Sequence, residues 1–171
     1  MWHAGCATGE EVYTCAIVLG EEGLYERAQI YATDVNQDAL EHAKQGIYPA
    51  QDLPLFTRNY RESGGVADLS AHYTAAYDHI AIKESLRRNI VFFRHNLVSD
   101  QVFGEMHVIF CRNVLIYFGP DLKQRVLRKI DQSLVPRGFL CLGRGERMFR
   151  PATETPFTEI DASERIYRRE S

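Results

Sequence analysis

Seven residues near the start of the chain, Gly5-Cys6-Ala7-Thr8-Gly9-Glu10-Glu11, constrain the fold more than any other stretch. A small-residue turn with two glycines follows what reads as the end of a strand, Trp2-His3-Ala4. It runs straight into a helix over 10–22, whose positions Val12, Tyr13, Ala16, Ile17 and Leu19 fall at roughly helical spacing, with Gly23 as its stop. Glycine at such a turn permits positive φ and lets a ligand approach the backbone. A turn built for phosphate keeps acids away from the helix mouth, because the first N–H groups and the helix dipole attract anions. Glu10 and Glu11 would repel a pyrophosphate. They suit an adenosine-containing ligand that has no phosphates and a positively charged end. The plainer reading is that both acids only complement the helix dipole, and at this point both readings stand.

The next stretch completes a βαβ unit. Residues 28–33 read as a strand ending at Asp34, and Asn36 caps a helix over 37–45 that turns Ala39, Leu40 and Ala43 inward and ends at Gly46. An acid at the tip of the second strand, roughly 20 residues past a glycine turn, is placed to accept hydrogen bonds from ribose hydroxyls. Its alternative is a turn or capping aspartate before Asn36.

Residues 46–89 break this alternation and read as an insertion. Pro49 and Pro54 punctuate it, Leu53 to Tyr60 can form a short helix, and Ser63-Gly64-Gly65 is a loop. Residues 72–77 and 79–83 then read as two short antiparallel strands turning at Asp78. Arg87 and Arg88, with Arg58, Arg61 and Arg94, form a solvated basic face or a contact for an acidic partner. The runs Ile90–Phe93 and Met106–Cys111 read as buried strands, and 98–105 is too short for a crossover helix. Pro120 opens a helix to 134 with the stripe Leu122, Val126, Leu127, Ile130 and Leu134. Residues 135–138 turn the chain into a strand over 139–142. A loop over 143–156 and a last strand around Ile166-Tyr167, at an edge or on a solvated face, complete the reading.

A length of 171 residues supports one domain with a substantial core, and 45% hydrophobic with 25% charged residues argues against disorder. The net charge of −3, without a long basic run, argues against nucleic acid as the main partner. Cys6, Cys15, Cys111 and Cys141 form no CxxC pair, so buried thiols in a reducing compartment are expected. No stretch approaches the ~18 apolar residues of a membrane span, and no signal-peptide pattern opens the chain. A cytoplasmic protein without direct membrane insertion is the expectation. The first strand is short for an α/β domain, so the chain reads as shortened at its N-terminus.

Polar residues stand at the tips of three apolar strands: Asp34, Asn96, and Arg112 with Asn113. The glycine turn stands at a fourth. Ligands of open parallel sheets bind outside the strands' carboxyl ends, so these residues are expected to converge. No GK[ST], GxSxG or HExxH pattern is present, which removes Walker-type nucleotide loops, nucleophile-elbow hydrolases and that zinc site, and no metal is expected.

Gly5–Tyr13 resembles the "AGCSTGEEPYS" signature of CheR-type chemoreceptor glutamate methyltransferases. Ala32-Thr33-Asp34-Val35 resembles their "ATDI", Asn96-Leu97 their "NL", Ile109–Phe118 their "FCRNVLIYF", and Pro136–Leu140 their "PGGxL". The resemblance implies an α/β, Rossmann-like S-adenosyl-L-methionine (SAM)-dependent methyltransferase fold. Its mostly parallel central sheet is flanked by helices, with a small antiparallel β insertion at 46–89 and the catalytic domain spanning 1–171. It implies transfer of the SAM methyl to glutamates on the cytoplasmic signalling helices of chemoreceptors, with S-adenosyl-L-homocysteine (SAH) as product. The alternatives are a SAM/SAH-binding sensory or regulatory module, or a methyltransferase of another protein. Gly5, Thr8 and Gly9 of the turn would approach the cofactor, and by resemblance Glu10, Asp34, Asn96, Leu97, Arg112 and Asn113 would line it. Tyr117 would lie near the methyl group and, with Arg112, is a candidate catalytic residue. The hairpin at 72–84 sits where some members dock a receptor tail peptide. On this resemblance the family's N-terminal helical domain is expected to be missing from the stretch 1–171. His107 replaces a usual Asp, and Gly145 a usual Ser before Glu146.

Overall fold

The computed structural model describes residues 1–65, 67–148 and 157–170. In chain order the elements are β1 (Trp2–Ala4), α1 (Glu10–Glu21), β2 (Ile30–Asp34), α2 (Gln37–Gln45), β3 (Ile47–Pro49), α3 (Leu53–Glu62), β4 (Tyr73–Ala76), β5 (His79–Ile82), β6 (Ile90–Arg94), β7 (Met106–Cys111), α4 (Pro120–Ser133), β8 (Leu134–Leu142), β9 (Phe157–Asp161) and β10 (Ile166–Arg169). Seven strands form a mostly parallel sheet in the order β6-β2-β1-β7-β8-β10-β9, and three form an antiparallel sheet in the order β3-β5-β4. Strand order runs from β1 through β2 to β6, then restarts beside β1 with β7. The reversal therefore falls between β1 and β7, the place where open α/β sheets bind ligands beyond their carboxyl ends. The chain divides into two compact units, one made of Met1–Gly5, Thr33–Val35 and Arg94–Ser171, the other of Cys6–Ala32 and Asn36–Phe93.

In the first unit β1 pairs in parallel with β7, Trp2 opposite Ile109 and His3 opposite Phe110. β7 pairs in parallel with β8, and β10 runs antiparallel to both β8 and β9. Trp2, Ile109, Leu140 and Leu142 are buried, and α4 turns Val126 and Ile130 inward. Each such buried side chain contributes about 1.5–3 kcal/mol. The turn expected at 135–138 is instead part of β8. The strand starts at Leu134, bulges where Met106 and Val108 face Leu134 and Phe139, and carries Arg137 at φ 64°. A Cβ on Gly138 would lie 2.9 Å from both Leu134 Cδ2 and Val135 O, so the bulge has no space for a side chain there. β9 has no counterpart in the sequence reading, because Thr158, Glu159 and Ile160 are all exposed and show no alternation. With β9 beyond it, β10 is not at the sheet edge, one of the two positions expected for it. The loop expected over 143–156 lies outside the described residues from 149 onward.

In the second unit α1 opens at Gly9 in the left-handed region and closes with Gly23, whose N–H reaches Gly20 O, while Leu24 N–H reaches Leu19 O. Asn36 Oδ1 accepts from the N–H groups of Asp38 and Ala39 and caps α2, and Gly46 ends that helix at φ 61°. Tyr13, Tyr48 and Ile80 form a buried cluster, with Phe56 and Phe92 against it. β3 pairs antiparallel with β5, Ile47 opposite Ala81 and its own terminal Pro49 opposite His79, and a proline inside so short a run argues against a strand in the sequence. β6 is apolar in sequence yet stands last in the sheet order, and Val91 is 45% exposed, so it is an edge strand and not a buried one. Arg87 donates to Lys44 O and Arg88 pairs with Glu26, so two of the expected surface arginines brace this unit.

Candidate functional site

The carboxyl ends of β1, β2 and β7, with the segment after β6, bring most of the expected site residues together inside the first unit. Gly5 follows β1 at φ 79°, its N–H donates to Thr33 O at 2.8 Å, and a Cβ there would run into Val114 Cγ2. Asp34 ends β2 half-buried, and its carbonyl accepts from His95 N–H at 3.1 Å. That bond sets Asn96 and the buried Leu97 beside the acid's strand. Arg112 and Asn113 follow β7, both exposed, with Asn113 at φ 58°. Gly5, Asp34, Asn96, Leu97, Arg112 and Asn113 are thus linked through bonds and contacts of their immediate neighbours. Beneath them Trp2 donates to Thr33 Oγ1 at 2.9 Å and packs edge-on against His95 and Phe103.

Asn96 also does what a plain turn residue does. Its Oδ1 accepts from Val98 N–H at 2.9 Å, and its N–H donates to Asp100 Oδ2 at 2.8 Å. The Asn96 N–H and the Ser99 hydroxyl hold the Asp100 carboxyl below the usual carboxylate range. These bonds use the backbone N–H and the side-chain oxygen of Asn96, not its side-chain nitrogen. Lys129 of α4 pins this turn from below, donating to the carbonyls of Leu97, Val98 and Asp100 at 3.1, 2.8 and 2.6 Å. Tyr117 ends a one-turn 3₁₀ helix over Leu115–Tyr117, anchored by the buried Leu115, and is 80% exposed.

One residue of this unit enters the sequence reading only as the neighbour of Gly145, without a role there. Glu146 is 4% exposed, and its Oε2 accepts from the N–H groups of Asn113 at 2.8 Å and Gly143 at 2.7 Å. Its Oε1 accepts from Ile116 N–H at 3.2 Å. An acid four residues past an apolar strand carries no local signal of its own. Only the fold brings three backbone donors to it.

Thr8, Gly9 and Glu10 lie in the second unit. The Thr8 hydroxyl donates to the exposed Glu10 carboxylate at 2.7–2.8 Å, and Tyr48 OH donates to Thr8 O at 2.7 Å. Gly9 sits at φ 92°, where a Cβ would come within 2.9 Å of Ala43 Cβ. The turn is therefore tight because α1 begins against α2. Burial pushes the Tyr48 phenol well above the usual tyrosine range, with the Glu10 carboxylate adding to the shift, so it stays a hydrogen-bond donor. The acids remain at the helix mouth, where they disfavour phosphate. A groove of about 500 Å³ along α3, lined by Leu53, Thr57, Arg58 and Arg61 among others, contains none of the expected site residues. Among the described residues no group of His, Cys, Asp and Glu is arranged to hold a metal ion. None of the four cysteines is in a disulfide, and Cys6 and Cys111 are buried.

With this geometry in hand, the chain compares clearly with known proteins. The family described as CheR methyltransferase, SAM binding domain, matches residues 1–166. Cher3 of Pseudomonas putida is 48% identical over 169 residues, covering 99% of this chain and 62% of that protein. The chemotaxis protein methyltransferase 1 of Vibrio cholerae is 33% identical over 159 residues, covering 86% of this chain and 54% of that one. The chemotaxis protein methyltransferase of Escherichia coli is 31% identical over 150 residues, covering 85% and 51%. The chain thus spans between about half and three-fifths of the length of these relatives. Among solved structures, PKMT2 from Rickettsia typhi is similar in fold, with a TM-score of 0.50 at 14% identity over 82% of this chain and 20% of that one.

Proposed function

The chain belongs to the CheR methyltransferase family, matching its SAM-binding domain, and from that premise we propose that it transfers the methyl group of SAM to glutamate side chains of chemoreceptors. The products are glutamate methyl esters and SAH, and the setting is the cytoplasm. The observation that carries the reading is the cluster at the β1–β7 reversal, where Gly5, Asp34, Asn96, Arg112 and Asn113 gather at strand ends.

This cluster fits the cofactor on its own chemistry. Gly5 gives the turn its positive φ, and Val114 fills the space a side chain would take there, so only glycine lets the turn close against the segment after β7. Asp34 is assigned to the ribose hydroxyls, Asn96 and Leu97 to the adenine, and Arg112 with Asn113 to the remaining edge. Thr8, Gly9 and Glu10 are assigned to the cofactor as well, on the resemblance of their turn. SAM supplies an electrophilic methyl group on a sulfonium. The acceptor carboxylate needs no general base, since glutamate is ionised at neutral pH. What is asked of the protein is orientation and removal of water from two charged reactants. Tyr117 is assigned to positioning the carboxylate, and Arg112 to the charge that moves during transfer. Residues 46–89 form an inserted subdomain on this reading. The edge strand β4, whose Thr74, Ala75 and Ala76 are exposed, suits pairing with an extended receptor tail.

Calorimetric titration of the chain with SAH tests the cofactor assignment, and absence of binding sinks it. Methyl transfer to receptor fragments tests the substrate. SAH binding without transfer to any such fragment would point to a sensory module. For Tyr117→Phe, unchanged SAH affinity with a fall in transfer rate is the expected result, and an unchanged rate removes Tyr117 from the reaction.

A further inference from the structure

The geometry points to Glu146 as the positioning residue of the Arg112–Tyr117 loop, a buried carboxylate that fixes the site by holding three backbone N–H groups. This rests on the reading of Arg112, Asn113 and Tyr117 as the cofactor and transfer edge. The middle of the loop is anchored by the buried Leu115, and its flanking residues are placed by other means. Asn113 is at φ 58°, in the left-handed region that asparagine adopts more readily than most residues with a side chain. Within the loop, Tyr117 N–H reaches Val114 O at 3.2 Å and closes a single turn. Ile116 and Tyr117 are 53% and 80% exposed, so packing does little to place them. The carboxylate of Glu146 supplies what is missing. It reaches from the loop after β8 to Asn113 and Ile116, each one residue in from an end of the segment, and also bonds Gly143 in its own loop.

Two further features belong to the same device. Glu146 N–H donates to Gly143 O at 2.8 Å, which turns the side chain back over its own loop. A Cβ on Gly143 would lie 2.5 Å from Asn113 Oδ1 and 2.8 Å from Glu146 Oε2, so glycine is needed for the two loops to meet. A carboxylate offers acceptors on both oxygens and no donor, which matches three converging N–H groups. Bonds to a charged acceptor are also the stronger kind. A glutamine in its place has one acceptor oxygen. Turned toward the Asn113 and Gly143 pair, it presents its NH₂ group to Ile116 N–H, two donors face to face. The loop then spends less time in the arrangement that binds, and apparent affinity falls in proportion.

The test uses Glu146→Gln and Glu146→Ala, with Val126→Ala in α4 as a core truncation away from the loop. Amide hydrogen exchange and SAH titration are read well below each variant's melting temperature. In Glu146→Gln, exchange is expected to rise at Ile116 while Asn113 and Gly143 keep their protection. In Glu146→Ala all three amides are released. SAH affinity is expected to fall at least about tenfold in both, the scale of one charge-assisted bond. It is expected to stay at the wild-type value in Val126→Ala, although that variant melts lower. Unchanged SAH affinity in both Glu146 variants, or an equal loss in Val126→Ala, overturns the positioning role. A wild-type chain that does not bind SAH overturns the cofactor reading and, with it, this role, whereas wild-type binding with silent Glu146 variants overturns this role alone.

Discussion

A single methyl group distinguishes what the glycines of this chain do. Gly5 lies at φ 79°, and a Cβ there meets Val114, whereas Gly20, inside α1, has nothing within 4 Å of its Cβ position. The same substitution should therefore have opposite signs. Gly5→Ala is expected to destabilise by about 2 kcal/mol or more, from strain plus collision, and to weaken SAH binding. Gly20→Ala is expected to stabilise by about 0.5–1 kcal/mol, because alanine loses less backbone freedom in a helix. Paired denaturant melts measure the difference, and equal shifts would contradict the account. The sequence offered both glycines alike. Only the turn motif singled out Gly5, and the collision partner Val114 lies more than a hundred residues away.

Between elements, the site depends on clamps that cross from one segment to another. Lys129 of α4 donates to the Leu97, Val98 and Asp100 carbonyls and so ties a helix to the turn carrying Asn96. Lys129→Met keeps the apolar stem but leaves three carbonyls without this donor. A loss of about 1–2 kcal/mol is expected, with faster amide exchange at Val98, whose N–H is held by Asn96 Oδ1. A shift in stability with unchanged exchange at Val98 would place the effect elsewhere in α4. The helix itself was legible from Pro120 and its apolar stripe. The clamp was not, because Lys129 reads as an ordinary polar-face residue until the turn is folded beneath it.

For the molecule as a whole, two buried tyrosines tie stability to alkaline pH. Burial pushes the Tyr13 phenol up to about 12, partly offset by Arg87, and raises Tyr48 further. Tyr13 OH also donates to Ala43 O at 2.6 Å, a bond the ionised form cannot make. In the unfolded chain both phenols titrate near the ordinary value of about 10. Above that pH the unfolded state binds fewer protons than the folded one, so stability falls as pH rises. Their contribution is complete below about pH 10, and Tyr13's is lost as pH approaches 12. The expected size is roughly 2 kcal/mol for Tyr13. Equilibrium unfolding from pH 9 to 11.5 should show the decline, and Tyr13→Phe should flatten it. An identical slope in that variant would assign the decline to other groups.

The sequence alone determined the α/β class, the glycine turn, the bounds of α2 from Asn36 to Gly46, the hairpin of the small sheet and the family. Each of these is written in local spacing, in turn chemistry or in an ordered run such as Cys111–Phe118. It did not disclose β3, β9 or the bulge in β8. Those are settled by pairing partners distant in the chain, which override the proline at the end of β3 or the lack of alternation. Glu146 and Lys129 belong to the same class. A carboxylate facing three N–H groups and an ammonium facing three carbonyls are defined by the backbone ends that folding brings to them, and such ends leave no periodic trace in a sequence.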